Sequence, residues 1–146
     1  MKNKLLSIFS TKTSSSQLDI ALIILRLGVA FTLFRVHGLK KLLHFQETVT
    51  NIPDPFGLGG EVSAVVAILA NVVFAVFLAF GLATRLSAAF ILGVTLTGLF
   101  LVHFSDPWSV KDIPMMYSLV MIALIILGGG RYAVDHFIIK NINQPS

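Results

Sequence analysis

Cysteine is absent from this sequence. Disulfides, thiolate metal sites and thiol-based electron transfer are therefore excluded within the chain, and any redox chemistry needs a bound cofactor or a partner. Charge is scarce as well: Asp, Glu, Lys and Arg make up 12% of the residues, about half of what a soluble domain carries. What replaces them is apolar, 55% of the chain, with a mean hydropathy of +0.87. The composition is that of a membrane protein, and the apolar runs amount to about four spans of about 20 residues each.

The net charge of +4 does not point to nucleic acid. No basic stripe with interleaved aromatics is present, and basic loops beside apolar spans suit an anionic bilayer surface. The N-terminal apolar run, Leu5 to Phe9, is shorter than the h-region of about 7 to 15 residues that a signal peptide needs, so no cleaved signal is expected.

The pattern divides into a mobile polar lead-in (residues 1–17), four transmembrane helices (residues 18–130) and an interfacial tail (residues 131–146). Helix 1 starts near Leu18, capped by Ser16 or Asp19, and continues through KKLLHF beyond the bilayer. A Pro- and Gly-rich loop from Gln46 to Gly60 follows. Helix 2 runs from near Glu61 to Gly81 and returns through the short LATR link to helix 3, Leu86 to Phe104. Asp106 and Pro107 read as the cap and first residue of a short surface helix, before helix 4 runs from about Pro114 to Gly128. Lys2, Lys4, Lys12, Arg85, Arg131 and Lys140 outnumber Lys40, Lys41 and Lys111 on the other side. The positive-inside rule then puts both termini in the cytoplasm. The fold expected is an all-α integral membrane four-helix bundle.

Few polar groups lie inside these spans, and a central arginine costs about 2.5 to 3.5 kcal/mol on insertion scales, so it must face the interior and find partners. Arg26 either lines a ligand pocket or ties helices together. Asn71 reaches about the same depth from the opposite face, by a rise of 1.5 Å per residue, and a hydrogen bond between the two is expected. On an ideal helix Arg26, His37 and His44 share one face, with His37 and Lys41 a turn apart and Gly38 permitting close approach by a helix or ligand. His103 ends helix 3 on the same outer side. Histidines with Glu47 or Asp106 offer metal ligation, and His37 with His103 axial haem ligation, but the spacing demands neither; boundary histidines at helix ends are the plainer reading. Thr95 and Thr97 can satisfy their hydroxyls on their own helix. Arg35 reads as a snorkelling side chain, Arg85 and Arg131 as topology determinants, and Asp135 as an i,i+4 partner of Arg131.

With these residues placed, the chain resembles the DoxX family of small four-helix bacterial membrane proteins over about Leu25 to Ile138. The markers occur in order: RLGVAFTLFRVHGLKKL for an arginine followed by HGxxKL, then IPDPFGLGG, FGLATRLSA, VHFSDPW, and GGGRYAVD for a GxGxxSxD-like ending. Two positions depart from the family pattern: Asn71 stands where a glutamate is common, and Ala133 replaces the serine. The resemblance implies a place in the bacterial inner membrane and a link with quinone handling, since relatives include the membrane subunit of a thiosulfate:quinone oxidoreductase. It marks Arg26, His37 and Lys41 as motif positions, and Arg131 and Asp135 as structural ones.

These readings lead to an oxidoreductase subunit whose outward half binds a quinone-like ligand through Arg26, His37, Lys41, Asn71 and His103. No haem or metal is expected, and protein partners in a redox complex are. A non-catalytic docking subunit and a small transporter are the alternatives; the latter is weakened by the lack of an internal repeat.

Overall fold

The computed structural model describes residues 13–142, and every regular element among them is helical. Of the lead-in expected over residues 1–17, residues 1–12 lie outside the described range. Four helices are long and apolar enough to cross a membrane: α1 (Ser15–Leu43), α3 (Gly60–Phe80), α4 (Thr84–Val102) and α5 (Trp108–Leu127). Two shorter helices complete the fold, α2 (Phe45–Asn51) after the first span and α6 (Val134–Ile142) after the last.

Helix α1 starts earlier than its apolar pattern suggests. Ser14 Oγ accepts from the Gln17 backbone N–H, and Gln17 Oε1 accepts from the Ser14 N–H at 2.8 Å. This reciprocal capping box satisfies two donors that a helix start leaves open, so Ser14 is the cap instead of Ser16 or Asp19, and the Asp19 carboxylate is released for another task. Helix α3 ends in a Schellman turn. Gly81 sits at φ 71, while Leu82 N–H donates to the Phe77 carbonyl and Gly81 N–H to that of Leu78, an arrangement that needs a left-handed residue.

A separate surface helix before the fourth span is not formed. Helix α5 is continuous from Trp108, with Pro107 as its cap and Pro114 inside it. Pro114 lacks the N–H that would reach the Val110 carbonyl, yet the helix runs through, and the Asp106 side chain binds His103 instead of capping.

The spans lie side by side in the order α1, α3, α4, α5. Helix α3 packs on α1 and α4, whereas α5 packs extensively on α4 and touches α1 only lightly. The buried positions of α3 and α4 include Ala64, Ala70, Ala75 and Ala88, small side chains that let helix backbones approach where no hydrophobic effect drives association. Ile24, Phe31, Phe80, Leu86 and Ile126 are exposed on the outside, as a lipid-facing surface requires. The start of α1 and the end of α5 meet at one end, called the terminal end below; α2 and the α4–α5 loop lie at the far end.

Three spans widen into π-helical turns: Leu33–Gly38 and Gly98–Val102 in the far halves of α1 and α4, and Leu69–Phe74 at the middle of α3. Such turns concentrate at functional sites. The first two cross at Gly38, where an added Cβ would lie 2.7 Å from the Asn71 carbonyl oxygen and 2.8 Å from Val72 Cγ2. The close approach that Gly38 permits is therefore to α3.

Candidate functional site

The polar residues marked in the sequence fall in three separate places. Arg26 belongs to the terminal end. It is 2% exposed, and one Nη donates to the carbonyls of Leu78 and Ala79, both at 3.4 Å. These carbonyls end α3, where the helix macrodipole favours a cation. The expected Arg26–Asn71 hydrogen bond is not formed. Helical side chains lean toward their own N-terminus, so the long arginine reaches down α1 to the last turn of α3, while Asn71 sits higher, beneath Gly38.

The same end is fastened by the tail. Asp19 accepts from the Arg131 backbone N–H at 2.9 Å and from its Nε at 2.5 Å, and the Arg131 guanidinium also reaches Ser16. Asp135 does not pair with Arg131, contrary to the i,i+4 expectation. Its two oxygens accept the Ala83 and Thr84 N–H groups at 2.7 and 2.8 Å, which caps α4 from a residue outside the helix. Ala133 is buried against Gly81 and Gly129. Arg85 reaches the Ile126 carbonyl at the end of α5.

The second place is the α1–α2 tip. His37 meets the Tyr117 ring of α5 edge-on at 5.7 Å, and Lys41 Nζ donates to the His37 carbonyl at 2.9 Å. With Lys40, His44 and Glu47 they line a cleft of about 290 Å³. Arg26 points to α3 and His37 to α5, so the common face drawn on an ideal helix is broken by the π turn at Leu33–Gly38.

The third place is a cavity of about 480 Å³ between α3 and α4 at the far end, within the range of small-molecule pockets. Val66, Phe90, Gly93 and Val94 form apolar walls, Phe56 and Leu58 of the Pro/Gly loop the roof, and His103 the polar rim. His103 Nδ1 lies 2.7 Å from Asp106 Oδ2. With the carboxylate accepting from Nδ1–H, the neutral ring keeps Nε2 as an acceptor; the imidazolium would donate from both nitrogens. The π turn Gly98–Val102 carries α4 past this rim. Of the residues marked in sequence, His103 and Thr97 line this cavity, whereas Arg26, His37, Lys41 and Asn71 do not. Among the described residues no three His, Asp or Glu side chains gather as a metal site would need.

The roof is held by Asp54, which the sequence reading passed over. Its carboxylate accepts from Gly59 N–H at 2.7 Å, Leu58 N–H at 3.1 Å and the Ser63 hydroxyl at 3.0 Å. These donors, Gly59 first, hold the Asp54 carboxyl below the usual carboxylate range. A carboxyl with a depressed folded pKa favours the folded loop at pH above about 4, and that contribution is lost as the pH falls through the folded value. Amide protection at residues 57–60 is therefore expected to hold at neutral pH and to collapse on acidification, and in Asp54→Ala to be weak at both; hydrogen exchange measures it.

Comparison with known proteins places these features in context. A family model described as DoxX matches residues 21–104, which takes in Arg26, the α1–α2 tip and the cavity walls but stops short of Asp106 and the tail. An uncharacterized protein of Haemophilus influenzae is 29% identical over 129 residues, 83% of this chain and 85% of that protein. No solved structure matches.

Proposed function

Since the chain belongs to the DoxX family of membrane proteins, we propose that it serves an oxidoreductase system by holding a quinone-like ring in the cavity between α3 and α4. The observation that carries this reading is an apolar cavity of about 480 Å³ with a carboxylate-oriented histidine at its rim. Phe90 and Val94 suit an aromatic or quinonoid ring, and the mouth beneath Phe56 and Leu58 admits a ligand from the lipid side. His103 Nε2 would take the proton of one quinol hydroxyl, with Asp106 hydrogen-bonded to the opposite ring nitrogen. The two electrons leave to a partner's redox centre, because this chain has no cysteine to receive them, and the second hydroxyl proton leaves to water at the His103 rim. The positive-inside rule favours a cytoplasmic terminal end, which carries Arg85, Arg131 and Lys140, and the family favours the bacterial inner membrane.

Arg26, Asn71, His37 and Lys41 hold no part of the ring in this reading: Arg26 ties α1 to α3, and the His37–Lys41 cleft is a separate basic surface. His103→Gln is expected to weaken binding of a soluble quinone analogue by about tenfold, the worth of one good hydrogen bond to a buried ligand. Titration of the purified protein in nanodiscs measures this, and equal affinity of wild type and variant would remove His103 from the site.

A second reading, a non-catalytic docking subunit, is favoured by the α4–α5 loop. Trp108 and Phe104 are both 72% exposed, and Lys111 Nζ stands 5.6 and 5.8 Å from their rings. In that case Trp108→Ala releases a partner protein from the membrane complex and leaves quinone binding intact.

A further inference from the structure

A further cleft lies at the terminal end, away from the site above. It measures about 550 Å³ and is bounded by the start of α4, the Gly128–Gly130 turn and helix α6. Its lining is divided. Arg85 and His136 stand on the polar side, with Thr84 and Gly129 at the floor, while Leu86, Ile138 and Ile139 form apolar walls.

Two polar groups there are incompletely hydrogen-bonded. Thr84 is 1% exposed, and its hydroxyl oxygen is buried with no hydrogen bond; it is turned toward Gly129, where an added Cβ would lie 2.6 Å from it. Arg85 makes one hydrogen bond, to the Ile126 carbonyl at 3.3 Å, out of the five N–H groups a guanidinium offers. No carboxylate lies within ion-pair distance of it among the described residues. The one acidic group in the lining, Asp135, has both oxygens engaged by the Ala83 and Thr84 N–H groups. Its charge is further offset by Arg26, buried behind Gly81.

Helix α4 begins and α5 ends here, so the cleft sits where the spans leave the membrane. A guanidinium with no carboxylate partner and most of its N–H groups open, flanked by isoleucines that are exposed on α6, matches a molecule with an anionic head and an apolar tail. We propose that this cleft binds the phosphate of an anionic phospholipid. Arg85 grips the phosphate, and an acyl chain runs along Leu86, Ile138 and Ile139.

Native mass spectrometry of the full chain in detergent tests this, with phosphatidylglycerol, phosphatidylethanolamine and inorganic phosphate as probes. Phosphatidylglycerol is expected to be retained in preference to phosphatidylethanolamine. Arg85→Gln should reduce that preference about fivefold, the worth of one basic side chain at an anionic surface, while Arg85→Lys keeps most of it. Ile139→Asp, at an exposed position that tolerates charge in the fold, should abolish retention by setting a charge against the acyl chain. Equal retention of both lipids, or an unchanged preference in both Arg85→Gln and Ile139→Asp, would overturn the proposal. Displacement of phosphatidylglycerol by inorganic phosphate would overturn the lipid assignment in favour of a soluble anion.

Discussion

Gly81→Ala is expected to destabilise the bundle by about 3 kcal/mol, from a left-handed alanine plus overpacking of a filled site. Gly81 adopts φ 71, and a Cβ there would collide with the Arg26 guanidinium and come within 2.7 Å of the Ala133 backbone. The arginine cannot simply swing aside. It is enclosed, its Nε already lacks a partner, and moving it would forfeit the Leu78 and Ala79 carbonyls. Ala133 is equally constrained, because Asp135, two residues on, is bound to the α3–α4 turn through both its backbone N–H and its side chain. One methyl group thus strikes the point where α1, α3 and the tail converge. Thermal unfolding in detergent measures the effect, and a melting temperature unchanged from wild type would show that the junction is looser than described.

Gly93→Phe should have the opposite character, abolishing ligand binding without harming the fold. Gly93 lines the α3–α4 cavity, and a Cβ built on it meets nothing within 4 Å. Replacing a mid-helix glycine with phenylalanine gains roughly a few tenths of a kcal/mol of helix stability, and the ring has an existing void to enter. Affinity for a quinone analogue should fall by at least about tenfold, because the ligand would have to displace a packed aromatic side chain worth several kcal/mol. A stable variant that still binds as wild type does would move the site elsewhere. The pairing of intact stability with lost binding separates this outcome from general damage to the fold.

Much of the architecture is legible in the sequence because a bilayer imposes a coarse and strict demand: long apolar runs become spans, and short links force antiparallel neighbours. The requirement for glycine at position 38 is also legible, from its place in HGLKK. What escapes is set by contacts distant in sequence or by side-chain direction. Asp135 reads as a partner of Arg131 because they are four residues apart, yet the better acceptor for Arg131 is Asp19, brought close only when α1 and α5 share an end. Depth counted residue by residue put Arg26 level with Asn71, but the length and tilt of the arginine carry its charge to the foot of α3. Pro114 reads as a helix start, yet α5 already has its cap at Pro107. The π turns leave no mark in a hydropathy pattern, so the wheel that aligned Arg26, His37 and His44 had no means of registering the break.

Of the polar residues marked in the sequence, the α3–α4 cavity takes in His103 and Thr97. His103 was marked as a histidine at the outer end of helix 3, but its cavity comes from the folded Pro/Gly loop, and that loop is held by Asp54. A carboxylate binding three donors within nine residues is a compact local signal, which the PDPFGLGGEVS segment carries as an acidic residue ahead of three glycines.

The most direct test of the cavity reading is photolabelling of the wild-type protein in nanodiscs with an azido-quinone, followed by mapping of the modified peptides. The labels are expected on the Pro/Gly loop over residues 52–58 and on α4 between Phe90 and His103, and they should disappear with excess unlabelled quinone. Labels confined to the His37–Lys41 tip or to the lipid-facing surface, or undiminished by competitor, would contradict it.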